Sequence, residues 1–427
     1  MAKKKPARAQ QEPLLDVAMI VKNEEKDLPR TLASLRALTP ILGRVCVYDT
    51  GSTDRTVSIA RAAGAKVVQG YWDDDFSRAR NESLAMTTSE WFLVVDADEV
   101  VVADAGPLGN ALRAARDTAV NGFTSPLAIV SSGRITTMVP SLRLGRRGRI
   151  HYVNRLHERH APIDPAENLV CSSLPDSVLM VAHYGYVPGE PLARRAERNL
   201  RISLLEHDRV ASGTPDEQVE ALLNRGRSYL LAGGLTEGLT DLSAAWDLTS
   251  AKTAYRQWAG EMLAEVRVQV GYLEEAEAML PGLSAAGSTD QLLRYIRARV
   301  AQARGQHEEA LRLIRLVDKP VRALQRTESW GPVLRLRMIS AAATAQSDEA
   351  IAAGVALFTR HGQCTGLGPL LLSLWAERSD EALVRLLTVQ DSPHFEAICA
   401  ELDRAGGRGV EVARAIRTRS AVSVETP

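Results

Sequence analysis

Apolar runs and polar punctuation divide the chain into two stretches with different periods. In the first hundred residues, short apolar or β-branched runs alternate with longer amphipathic segments: DVAMIVK from Asp16, RVCVYDTG from Arg44, AKVVQGYW from Ala65 and WFLVVDADE from Trp91. Turn or polar residues bound each run, which predicts buried strands. Between the first two, Leu28, Leu32, Leu35 and Leu38 fall on one face of a helix, with Asp27 as its expected cap and Pro29 in its first turn. A second helix is expected to open around Ser52-Thr53-Asp54 and stop at Gly64, and a third to run from about Ser77 to Met86. Such alternation implies a mostly parallel sheet with helices on both faces. From about residue 107 to 190 the pattern loosens, and NGFTSPLAIV, TTMVPSLRLG and SVLMVAHYGY read as further strands joined by polar loops.

From Leu192 onward the chain is Ala- and Leu-rich and reads as helix. Gly271 and Gly305 lie 34 residues apart, as do Ala276 and Ala310. With Gly226, Tyr229, Gly233, Gly238 and Ala245 in an earlier unit, these small and aromatic positions resemble the tetratricopeptide (TPR) pattern, whose period is about 34. The expected organisation is a disordered basic tail over 1–12, an α/β domain over 13–212 and a TPR-like α-solenoid over 213–427. After about residue 320 the repeat is barely legible.

At 427 residues the chain exceeds one ordinary core. Lys plus Arg and Asp plus Glu are equal at 52 each, so no net charge draws it to nucleic acid. Cys46, Cys171, Cys364 and Cys399 show no CxxC spacing and read as reduced core residues. No apolar run follows the basic N-terminus, and Val17 to Val21 is too short for a signal sequence or a membrane span. The expectation is a cytoplasmic protein without a transmembrane segment.

In open parallel sheets, ligands bind beyond the carboxyl ends of the strands. Polar residues cluster at those ends here: Lys22-Asn23-Glu24 after the first strand, Asp49-Thr50-Gly51-Ser52 after the second, Asp96-Ala97-Asp98-Glu99 after the fourth. Three strands delivering carboxylates to one edge suggest one site. A D-x-D at a strand end suits a hard cation such as Mg²⁺ or Mn²⁺, which shares oxygen ligands with substrate phosphates. Acidic pairs are also common on solvated loops; the buried strand before Asp96 is what favours a functional reading. His157-Glu158-Arg159-His160 is not HExxH, and the chain has neither GxxxxGK[ST] nor GxGxxG, which sets aside zinc-hydrolase, P-loop and dinucleotide readings.

MIVKNEE, VYDTGSTDRT, DFSRARNESL, VVDADE, RLHE and HYGY, in that order, resemble the family-2 glycosyltransferases of the GT-A fold over residues 14 to about 205. The resemblance implies inverting transfer of a sugar from a nucleotide diphosphate donor, with a UDP-sugar foremost. It places Val21, Asn23, Glu24, Asp49, Asp96 and Ala97 around the nucleotide sugar, with Arg80 facing its phosphates. Asp96, Asp98 and His183 would hold Mn²⁺ or Mg²⁺. Glu158 would be the catalytic base, although many members read Glu-Asp where this chain has His157-Glu158. The plain alternatives are a surface arginine for Arg80, a loop ion pair for Glu158 and a packed histidine for His183.

The acceptor is not legible. Solenoids present extended concave surfaces, which points to a peptide or protein acceptor, or to self-association into a homo-oligomer. A glycan or lipid-linked saccharide is the alternative acceptor. A rival of another class is a lapsed transferase domain serving as a protein-binding scaffold. A nucleotidyltransferase would carry a Gly-rich loop where Lys22-Asn23-Glu24-Glu25 stands.

Overall fold

The computed structural model describes residues 13–131, 134–184, 192–318, 322–323, 330–388 and 394–422. The N-terminal basic tail and the Gly185-Tyr186 end of HYGY lie outside them. The chain divides into two compact units, Met1–Glu206 and His207–Pro427.

In the first unit β1 (Leu15–Val21), β2 (Leu42–Asp49), β3 (Lys66–Gln69) and β4 (Trp91–Val94) pair in parallel in the order β3-β2-β1-β4. Helices α1 (Leu28–Ser34), α2 (Thr56–Ala62) and α3 (Phe76–Ala85) make the crossovers. β1 is covered on both faces, so its LDVAMIV is an apolar run, broken only by Asp16, rather than an alternation. Leu15, Met19, Leu28, Leu38, Trp91 and Leu93 pack into the main core of this unit. Asp27 makes no side-chain cap on α1; its carboxylate turns to Arg30, 2.9 Å away. α2 opens later than expected because Asp54 binds the Thr56 amide (2.9 Å). Asp75 does cap α3, accepting from the Arg78 amide at 2.8 Å.

Beyond β4 the sheet is mixed. β5 (Glu99–Ala103), β6 (Gly122–Ser131), β7 (Arg134–Arg146) and β11 (Leu179–His183) continue it in the order β4-β7-β6-β11-β5. β6 and β7 are close in sequence and pair from Ser131↔Arg134 onward, and such a short connection can only give an antiparallel pair. β8 (Ile150–Val153) and β9 (Arg159–Pro162) form a separate antiparallel ribbon, and β10 (Cys171–Ser173) lies beside β6. The sheet is thus continuously parallel over its first four strands and mixed beyond them: β7 runs antiparallel to β4 and β6, and β5 to β11, whereas β11 and β10 run parallel to β6. After α4 (Ala105–Ala114) and β11, α5 (Leu192–Arg209) is tied to the loop before α3 by Arg201, whose guanidinium binds the Asp74 carboxylate at 2.6 and 2.8 Å.

One buried charge organises the strand starts. Asp16 is fully buried at the entry to β1 and accepts the amides of Arg44 (2.7 Å), Thr88 (2.5 Å) and Ser89 (2.9 Å) and the Ser89 hydroxyl (2.7 Å). Burial would raise its pKa, but the three amides and the hydroxyl outweigh burial and hold it below the usual carboxylate range. One side chain therefore fixes β1 against the start of β2 and the turn before β4.

The second unit is all-helical and TPR-like. Its helices α6 (Pro215–Leu231), α7 (Leu235–Asp247), α8 (Ala254–Val270), α9 (Leu273–Ala278), α10 (Leu280–Ala285), α11 (Asp290–Ala303), α12 (His307–Ile314), α13 (Trp330–Ala343) and α14 (Ser347–Ala356) pack mainly against their sequence neighbours. A full capping box starts α6: the Thr214 side chain receives the Glu217 amide, and Glu217 receives the Thr214 amide. A left-handed residue stands at the turn after α6, α8, α11 and α13: Gly233, Gly271, Gly305 and Ala345. Five residues after each comes a small residue, namely Gly238, Ala276, Ala310 and Ala350, and all four are buried. The turn needs a positive φ, and the packed helix pair has no room for a larger side chain. Among the cysteines, Cys46, Cys364 and Cys399 are buried as expected, whereas Cys171 is exposed on β10.

Candidate functional site

The loops after β1 and β2 are knitted into one edge. Asn23 takes a left-handed backbone (φ 57°); its amide donates to Ser52 Oγ (2.9 Å), and its side-chain oxygen accepts the Thr53 amide (2.8 Å). The Val21 carbonyl accepts the Thr50 amide (3.0 Å). Asp49 is buried at the end of β2, and its carboxylate accepts the amides of Gly51 (3.3 Å) and Ser52 (3.2 Å). Gly51 has φ 109°, a conformation open to glycine and little else. The Glu24 amide donates to Thr56 Oγ1 (2.7 Å). Burial, then the negative charges of Asp98, Asp27, Asp96 and Asp54, push the Glu24 carboxyl up to about 7. β1 and β4 are parallel neighbours, so the carboxylates that follow them lie along one edge of the sheet. Ala97 is buried beside them, its carbonyl accepting the Thr31 hydroxyl (2.6 Å).

Arg80, on the inner face of α3, is the hub. Its Nη1 donates to Asp96 Oδ1 (2.8 Å) and its Nε to Glu158 Oε1 (2.7 Å). Burial works against its charge, but Asp96 and Glu158 outweigh burial and hold its pKa well above the ordinary value. Burial would raise the pKa of the half-buried Asp96 carboxyl, but Arg80 and Arg143 hold it far below its usual range. Two residues away, Arg78 turns elsewhere, to Asp73 (2.8 Å) and the Tyr48 hydroxyl (3.0 Å).

Glu158 reaches Arg80 because the turn between β8 and β9 bends sharply, with Asn154 (φ 75°) and His157 (φ 56°) both left-handed. Two such non-glycine residues around one carboxylate are the kind of backbone strain that gathers at working sites.

His183 ends β11, opposite Glu99 of β5. Its Nδ1 lies 3.4 Å from Asp98 Oδ1 and 4.0 Å from Glu99 Oε1. The hydrogen bond to Asp98 raises its pKa against the opposing effect of burial. Asp96 turns its oxygens to guanidinium groups, so the close carboxylate–imidazole pair is Asp98 with His183. Among the described residues, no three His, Cys, Asp or Glu side chains are grouped to hold a metal ion by themselves.

Sequence reasoning passed over Arg143 and Tyr152, counted Glu99 only among the strand-end acids and weighed His160 only to set a zinc site aside. Arg143 donates to Glu99 (2.6 Å) and lies 3.6 Å from Asp96. Glu99 in turn accepts the Asp96 amide (2.8 Å), and burial pushes its carboxyl up to about 7. The signal for Arg143 was a lone charge within the apolar strand TTMVPSLRLG; Tyr152 gave none. A cavity of about 510 Å³ opens on this side, walled by Arg143, Leu142, Tyr152, Glu158, His160 and Leu169.

Residues 16–126 match the family model described as glycosyl transferase family 2. A TPR repeat-containing protein of Synechococcus elongatus is 46% identical over 91 residues, which is 21% of this chain and 22% of that one. The SPbeta prophage-derived glycosyltransferase SunS of Bacillus subtilis is 27% identical over 196 residues, 45% of this chain and 44% of its own. The solved structure of S. aureus TarS is similar at 15% identity and a TM-score of 0.33, covering 72% of this chain and 94% of that one. The chain spans less than half the length of the curated relatives it matches. No described helix is long and apolar enough to cross a membrane. Residues 16–126, with the strand-end carboxylates that meet at one edge of the sheet, are a family 2 glycosyl transferase domain, carried in the same chain as a TPR-like helical unit.

Proposed function

We propose that this chain transfers a sugar, with inversion, from a UDP-sugar to a hydroxyl or thiol on a peptide or protein, assisted by a divalent cation. The observation that carries the reading is the buried Arg80, held between the carboxylate of the DxD strand, Asp96, and the candidate base, Glu158. In this reading Glu24 and Asp49 accept hydrogen bonds from the base or ribose of the donor. The Asp98–His183 pair fits a cation that takes its remaining ligands from water and the donor's phosphates, as Mg²⁺ commonly does. Such a cation, Mn²⁺ or Mg²⁺, neutralises the charge that builds on a departing diphosphate.

Arg80 adds a fixed positive charge toward that diphosphate from a site largely closed to water, where its effect is strongest. Glu158, positioned by Arg80, then takes the acceptor's proton as the acceptor's oxygen or sulfur attacks the anomeric carbon, on the face opposite the leaving group. The comparison with SunS, itself named a glycosyltransferase, supports the reaction class.

The test incubates the full chain with UDP-glucose, UDP-galactose and UDP-N-acetylglucosamine in Mn²⁺ and measures UDP release. Slow hydrolysis of one donor, abolished in Asp98→Ala, is expected. No UDP release and no calorimetric UDP binding would instead favour a lapsed domain.

A further inference from the structure

The cavity beside Glu158 carries information about the acceptor. Its ionised walls are already matched: Arg80 by Asp96 and Glu158, and Arg143 by Glu99. His160 is kept neutral, its pKa pushed down to about 3 by burial and by the charges of Arg80 and Arg143, and its ring lies 4.2 Å from that of Tyr152. Arg159, a further cation of the wall, is exposed. An acceptor that brought a charge inside would upset a balanced set in a medium where unpaired charge is costly.

The other wall is apolar and leads outward. Met138, Pro140 and Leu142 alternate along β7 and so share one face of the strand. Pro140 and Leu142 line the cavity, and Met138, 45% exposed, prolongs the strip beyond its mouth. Leu169, 37% exposed, lines the cavity as well.

We infer that the cavity is an acceptor site for an uncharged hydroxyl- or thiol-bearing side chain on an extended peptide whose flanking residues are apolar, the flank lying along Met138, Pro140 and Leu142. This rests on the transferase reading above and deepens it. An acceptor whose recognition depends on a phosphate or carboxylate, such as a sugar phosphate, does not match a charge-balanced cavity with an apolar lip.

The test uses the full chain, Mn²⁺ and the three UDP-sugars. Acceptors are acetylated peptides with a central Ser, Thr or Cys flanked by Leu and Val or by Asp and Glu, together with glucose phosphate. Mass spectrometry reads addition of a hexose or N-acetylhexosamine, and UDP release is followed in parallel. Apolar-flanked peptides are expected to be modified in preference to acidic ones. Met138→Glu should lower that kcat/KM at least about tenfold, the scale of losing one apolar contact, while Met138→Leu and the donor hydrolysis of both variants stay unchanged. Modification of glucose phosphate or of acidic peptides in preference, or indifference to Met138→Glu, overturns the inference. Donor hydrolysis without modification of any peptide overturns it too and leaves the transferase reading standing; absence of donor hydrolysis overturns the transferase reading itself.

Discussion

Asp16→Asn isolates how one buried charge holds the sheet that carries the site. In the native chain Oδ1 receives the Arg44 amide and the Ser89 hydroxyl, while Oδ2 receives the amides of Thr88 and Ser89. An asparagine must place its NH₂ at one of these positions. At Oδ1 it faces the Arg44 amide, since only the Ser89 hydroxyl can rotate to accept; at Oδ2 it faces two amides. At least one buried N–H then loses its acceptor, at about 1–3 kcal/mol, and the other bonds lose charge assistance. We expect a total destabilisation of about 2–4 kcal/mol at neutral pH. The pH dependence follows from the lowered native pKa. Above the unfolded value of about 3.9 the contribution is fully present, and it is lost as pH falls through the native value. The native chain should therefore lose this stability only in strong acid, and Asp16→Asn should lack that part of the acid dependence. Because two units unfold in one chain, the measurement is hydrogen exchange of peptides spanning β1 and β4, read by mass spectrometry across a urea series. Unchanged protection of those peptides in Asp16→Asn at neutral pH would refute the argument.

Glu158→Gln should keep UDP affinity by calorimetry and lower peptide transfer by roughly 10²–10⁴; near-native transfer would move the base elsewhere, with Asp164 and Glu167 next in line. Excess chelator should abolish UDP release and Mn²⁺ restore it, whereas full activity in chelator removes the cation from the proposal. A fragment of residues 1–212 keeps all of α5, and is expected to bind UDP as the full chain does; a folded fragment that cannot bind it would show that the proposed boundary is wrong. Ala345 holds φ 56° where the other repeat turns have glycine. Ala345→Gly should therefore stabilise the helical unit by about 0.5–1 kcal/mol, and a lowered urea midpoint for that unit would contradict this.

The sequence by itself determined what depends on neighbours along the chain. Buried runs such as LDVAMIV and WFLV, the leucines from Leu28 to Leu38 and the stop at Gly64 are local patterns, and β1 to β4 formed where those patterns lay. The ordered motifs marked the family domain and the strand ends of the candidate site. The repeat was readable where Gly271 and Gly305 mark the turns and faded where Ala345 takes the same left-handed backbone, because no sequence pattern announces an alanine forced into it. The tertiary structure alone decided the long-range pairings. That Arg80 joins Asp96 to Glu158, 78 residues further along, follows from α3 packing beneath the ribbon of β8 and β9. That Arg143 meets Glu99 follows from the antiparallel return of β7 beside β4. The roles of Asp16, Tyr152 and His160 were likewise hidden, since a lone polar residue in a strand looks the same whether its partners lie in solvent or across the core. Charge balance and burial are properties of the assembled neighbourhood, and these pairings exist only once distant strands have been brought together.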